Sequence, residues 1–180
     1  GWQRIQKIEG NQTPAFGTQV TYKPSDRVVL NWSTYIGNEQ PDNDRKWRYF
    51  NNFYGQFKLS DKTNLTAGFD IGAQQTVNGS SDYDVWYSPV LILQHKPTAK
   101  TQIAVRGEYY QDKQGVIIAT GTENGFKTYG FSANFDYLVS DNVLFRIEAR
   151  NLASKDEVFL KNGNPTDTNT FLTTSLAISF

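Results

Sequence analysis

Along this chain apolar side chains recur at every second position, and no stretch carries a helical stripe, so the pattern predicts strands. Taken one face at a time, the apolar positions are Phe16, Thr18, Val20 and Tyr22 over 15–23, then Val28, Leu30, Trp32, Thr34 and Ile36 over 27–37. They continue with Trp47, Tyr49, Phe53, Phe57 and Leu59 over 47–59, and Leu65, Ala67, Phe69, Ile71 and Ala73 over 63–75. Ile103, Val105 and Tyr109 mark 101–111, Tyr129, Phe131, Ala133, Phe135 and Tyr137 mark 127–138, and Val143, Phe145, Ile147 and Ala149 mark 142–151. The closing FLTTSLAISF alternates to the last residue. Residues 84–95 are strand-like but apolar on both faces, and Pro89 there predicts a bulge or an edge. WQRIQKI at 2–8 has the look of one further, partial strand.

The connections alternate in length. KPSD (23–26), SDK (60–62), KPTAK (96–100) and SDN (140–142) are short and rich in turn-forming residues. The connections over 37–46, 76–82, 112–125 and 153–168 are long and polar. Short turns at one end and long loops at the other predict an all-β, antiparallel up-and-down barrel of about ten strands, one domain over 1–180.

Composition decides what kind of barrel. Mean hydropathy is −0.57 and no run reaches the roughly 18–20 apolar residues of a membrane helix. That excludes helical spanning only, because a membrane strand needs about 9–11 residues, apolar on alternate positions. Basic and acidic residues balance at 18 each, so no global field draws in nucleic acid. Cysteine is absent, which excludes thiolate metal sites and thiol catalysis. Methionine is absent even at position 1, so Gly1 is not a natural translation start.

Alternation alone does not say which face is wet. A soluble, lipocalin-like barrel holding an apolar ligand would put its apolar face inside; a membrane barrel does the reverse. Four features favour the membrane. The strands are longer than the five or six residues usual in soluble proteins. Large aromatics collect near strand ends, at Trp32, Trp47, Tyr49, Tyr109, Tyr137 and Phe180, as interfacial girdles require. The apolar face is nearly free of charge at the strand centres. The opposite face concentrates it, in Arg106, Glu108 and Asp112 on one strand and Arg146, Glu148 and Arg150 on another, with Asp70, Asn134 and Asp136 on equivalent faces. On the membrane reading Asp70, Arg106, Glu108, Asp136, Arg146, Glu148 and Arg150 line a lumen and pair across it. Gly68, Gly72 and Gly130 relieve crowding there.

The stretches GWQRI, TYKPSD, YIGNEQPD, RYFNNFYGQFKLSDK, AGFDIGAQQ, RGEYYQD, GVIIAT, RIEAR and LAISF, in this order and spacing, resemble the β-barrel porin-2 (OmpL-like) family of Gram-negative outer membranes. The resemblance covers nearly the whole chain and is to the C-terminal half of that family's members, so a truncated larger barrel is one expectation. It implies a porin-like barrel in the bacterial outer membrane, in contact with the lipid bilayer and without enzyme chemistry, either a passive pore for small solutes or, since about ten strands leave little bore, a narrow, gated or purely structural barrel. The last strand also resembles the C-terminal signal of such barrels, which implies recognition of Leu172, Leu176, Ile178 and Phe180 by outer-membrane assembly machinery. A barrel that presents its loops for adhesion stays open as an alternative.

Catalytic constellations are thin. His95 is the one histidine and sits beside a short turn, as a boundary residue. The carboxylate pairs Glu108/Asp112 and Asp70/Asp136 are better explained by lumen ion pairing than by acid–base work, and the loop acids by solvation. No catalytic residue, cofactor or metal is expected. The GVIIAT run at 115–120 is conspicuous inside a long loop: it could extend a hairpin, fold over the mouth or touch a partner.

Overall fold

The structure, a computed structural model, describes residues 8–180, so the partial strand expected over 2–8 lies outside the described residues. Nine long strands form one antiparallel sheet: β1 (Phe16–Ser25), β2 (Val28–Asn38), β3 (Trp47–Lys58), β4 (Thr63–Gln75), β5 (Tyr83–His95), β6 (Thr101–Asp112), β7 (Phe126–Ser140), β8 (Val143–Ser154) and β11 (Thr168–Ile178). Each pairs with its neighbour in sequence, except that the small hairpin β9 (Phe159–Lys161) and β10 (Asn164–Thr166) interrupts the path from β8 to β11. Short turns gather at one end of the sheet and long loops at the other. The fold is thus the expected all-β up-and-down arrangement.

The sheet is open among the described residues: β1 pairs with β2 only, and β11 with β8 only. Nine alternating strands leave β1 and β11 running in the same direction, so these two edges cannot join by an antiparallel ladder. An all-antiparallel ring needs an even number.

Two local expectations are corrected. Pro89 makes neither a bulge nor an edge: β5 lies in the middle of the sheet, and the β5–β6 register is the same on both sides of it (Tyr87↔Gln111, Val90↔Glu108), with rungs missing where the proline has no N–H to give. The irregularities fall instead beside two short turns, between Tyr22 and Ser25 and between Leu138 and Ser140. In addition, the loop expected over 153–168 contains the β9–β10 hairpin. Its Asn162–Gly163 link has φ of 52° and 82°, the two left-handed residues of a type I′ turn.

Burial is inverted relative to a soluble domain. Among the described residues the buried side chains are mostly polar, including Asn31, Arg48, Asp112, Ser132 and Asp136, with only Trp86 and Ala104 as buried apolar groups. Large apolar side chains lie open on the other face, Phe131 at 59% and Leu91 at 57% exposure. A single sheet buries one of its faces only by curling around it, so the polar face is the inside of the curl.

Candidate functional site: the polar face

Register places the inward residues in rows across the sheet. Gln102, Asp136 and Arg146 form one row over β6–β8, and Arg106, Ser132 and Arg150 another. Glu108 is in the same row as Gly130 and Leu152. Six of the seven residues expected to line a lumen thus sit together on β6–β8, and Asp70 sits on the same face of β4.

Their contacts are specific. Asp136 accepts two hydrogen bonds from Arg146, from Nε and Nη2 at 2.7 Å each, and further ones from Asn134 at 2.8 Å and Gln102 at 3.2 Å. The fork geometry suits a guanidinium facing a carboxylate. Glu108 is held by both Arg106, on its own strand, and Arg150, two strands away. It spans that distance by lying flat over Gly130, where an added Cβ would meet its Oε1 at 2.5 Å. Gly68 and Gly72 play the same part, lying beneath Val90 and Trp86. Glu148, beside Ala149 on β8, adds its negative charge to the field around Arg146. Asp70 accepts from Asn52 Nδ2 at 2.6 Å.

The carboxylate pairs do not meet. Glu108 and Asp112 are four residues apart on one strand, about 13 Å, and Asp70 and Asp136 are three strands apart and, because the row of Asp70 reaches β7 at Thr128, also eight residues apart along the strand, about 30 Å in all. His95 faces outward at the turn end, its Nδ1 3.0 Å from Thr63 Oγ1.

At the loop end, Asp112 is wholly buried. Its carboxylate accepts the backbone N–H groups of Val116, Ile117 and Ile118 at 2.9, 2.7 and 2.9 Å. Asp112 points to the polar face, so these bonds draw the 115–118 backbone over the inside of the curl. The first part of GVIIAT thus folds back onto the loop end of the sheet. The neck of the loop is tight: at Gly125, whose φ is +63°, a Cβ would collide with the Asp112 and Lys113 carbonyl oxygens. Asn124 ties the loop to the next one by donating from N and Nδ2 to Asp156, at 2.8 and 2.7 Å. Those bonds hold the Asp156 carboxyl below its ordinary value of 3.8. A similar clamp joins the 8–13 segment to the first long loop. There Asp42 accepts from Thr13 Oγ1 at 2.6 Å and Gln12 N at 2.8 Å, and its carboxyl is likewise lowered.

Residues not picked out by sequence complete the mouth. Trp86 is buried flat over Gly72 with the Arg48 guanidinium 5.6 Å from its ring centre, and Arg48 donates from Nε and Nη2 to Gln74 at 2.9 and 2.6 Å. Alternation puts Arg48 and Trp86 on the inward face of their strands. The signal was available, but hidden by the apolar look of β5 on both sides.

On the outward face Trp47, Tyr49 and Tyr109 lie near the loop end. Tyr49 packs on Tyr83 at 5.9 Å, and Tyr109 on Tyr87 and Tyr129 at 5.9 and 4.7 Å. Tyr137 lies near the turn end of β7, and Phe180 beyond the end of β11. Trp32 is not at a strand end: it is mid-β2, stacked on Phe53 at 5.9 Å, with its indole N–H bonded to Asn51 at 3.0 Å. Leu172, Leu176 and Ile178 face outward opposite Ala149, Phe145 and Val143, and Ser179 N bonds Asn142 O at 3.0 Å.

A curled antiparallel sheet with long strands, an apolar outside and a charge-paired inside is the architecture of porin-type membrane barrels. Over residues 1–180 the chain matches the family described as "Putative beta-barrel porin-2, OmpL-like", and it belongs to that family. Among solved structures it is similar to the NanC porin in its rhombohedral crystal form, with a TM-score of 0.58 and 10% identity, covering 93% of this chain and 79% of that one. At that identity the likeness is one of fold. No curated protein sequence matches. Family and fold together give a porin-like β-barrel protein embedded in membrane.

Proposed function

We propose that the chain forms the wall of a passive outer-membrane pore for small solutes, without enzyme chemistry. Asp70, Arg106, Glu108, Asp136, Arg146, Glu148 and Arg150 line its aqueous side, and the 113–125 loop narrows its outer mouth. The observation that carries this reading is the inversion of burial: ion pairs are inside and Phe, Leu and Tyr are outside. A soluble barrel with an apolar cavity needs the opposite. Among these lining residues three arginines stand with four carboxylates (Asp70, Glu108, Asp136 and Glu148), so the lining is nearly charge-compensated and weakly selective. The outward aromatics near the loop ends form one girdle, and Tyr137 and Phe180 belong to the other. Leu172, Leu176, Ile178 and Phe180 serve as the assembly signal.

Planar-bilayer recording under a salt gradient tests the lining. Glu108→Gln leaves Arg106 and Arg150 without their shared anion, and the reversal potential is expected to move toward anion preference. A conducting Glu108→Gln variant with unchanged selectivity refutes the assignment.

A further inference from the structure

We propose that the outward face of β1–β4 carries a groove that holds one acyl chain of a membrane lipid. The proposal rests on the membrane reading above. Register sets Gly55 opposite Ala67, so two small outward positions of β3 and β4 meet. On the loop side of this pair stands a continuous aromatic row, Trp32, Phe53 and Phe69, paired rung to rung, with the Trp32 and Phe53 rings nearly parallel at 9°. On the turn side stands Phe57, whose ring leans over Gly55. Between them lies a shallow, open groove of about 460 Å³.

The walls are almost wholly apolar and suit hydrocarbon, with Tyr22 adding one hydroxyl among the lining residues. The one polar group Trp32 brings, its indole N–H, is already bonded to Asn51. Asn31 and Tyr54, which also border the groove, belong by register to the opposite face of the sheet, so they give it backbone rather than polar side-chain groups. A groove in a lipid-facing surface left empty forfeits the dispersion contacts of its lining. Its mouth opens onto the same apolar surface that meets the bilayer, so the filling nearest to hand is a lipid chain. Rigid aromatic walls lower the ordering cost of holding it, which favours one retained lipid over fast exchange with the bulk.

The test loads the protein in vesicles of phosphatidylethanolamine with dibrominated acyl chains, then extracts and washes it in detergent. Mass-resolved lipid content is measured, with Trp32 emission taken as the difference from a Trp32→Phe variant. The expected result is one retained lipid per chain and persistent quenching of Trp32. Ala67→Phe and the smaller Ala67→Leu fill the groove and lose both signals, while Val105→Phe, an addition outside it that is intermediate in atom count, keeps them. No retained lipid in the parent protein, retention in both Ala67 variants equal to that of the parent, or a lipid-free dimer of this chain overturns the proposal. Quenching of Trp47 in the vesicles before extraction separates the two readings: its absence, with Trp32 unquenched as well, refutes the membrane reading itself.

Discussion

Glu108 reaches Arg150 across a strand because the position between them is Gly130. Any side chain there competes with the carboxylate for the same space. Gly130→Ala is therefore expected to push Glu108 off Arg150. The overpacking costs about 1–3 kcal/mol, read as a lower urea midpoint, and selectivity shifts in the same direction as in Glu108→Gln but by less. Asp136 is a different case, since Arg146, Asn134 and Gln102 all converge on it. Asp136→Ala leaves those donors without their acceptor and should destabilise by about 1–3 kcal/mol, again visible in urea unfolding. Asp136→Asn, which keeps an acceptor oxygen, should lose less. Alternation along the sequence identified these inward residues, since that needs only parity. It could not say who pairs with whom. Glu108 shares a row with Gly130, not with either arginine, and its diagonal reach depends on a rotamer and on the missing Cβ.

Strand limits were readable at the scale of elements because turn chemistry and alternation agree there: β4 runs over the expected 63–75. Loop architecture was less readable, because it rests on long-range polar contacts such as those of Asp112. The Asn162–Gly163 turn signal was present all the same, and flanking Phe159 and Leu160 made it a hairpin. The Asp112 bonds should be the loop's main restraint. Asp112→Ala removes all three N–H acceptors at once, and trypsin is expected to cut at Lys113 faster while single-channel current becomes noisier. An unchanged cleavage rate would show that the neck at Gly125 suffices. The clamps at Asp42 and Asp156 respond to acid. Both carboxyls are held below 3.8, so their contribution is complete above the unfolded value and is lost as pH falls through the lower folded one. Hydrogen-exchange protection of the Gln12 and Asn124 amides, taken relative to their intrinsic rates, should fall only below about pH 4, with sheet amides unaffected.

The orientation of the whole molecule follows from where its connections lie. The short turns after β1, β3, β5 and β7 share one end of the sheet with the C-terminus, which is tied to the β7–β8 turn through Ser179 and Asn142. The loops after β2, β4, β6 and β8 share the other end, and there the clamps of Asp42, Asp112 and Asp156 gather. Barrels of this class keep short turns on the periplasmic side and long loops outside, so the Asp112-held loop should face the medium. Single cysteines report this directly, because these 180 residues contain none. Glu123→Cys, exposed in that loop, is expected to react with a membrane-impermeant maleimide on intact cells. Ala99→Cys, exposed in the KPTAK turn, should react only after the outer membrane is opened. Labelling of Ala99→Cys in intact cells would invert the molecule. It would also move the Asp112-held loop to the opposite side of the membrane.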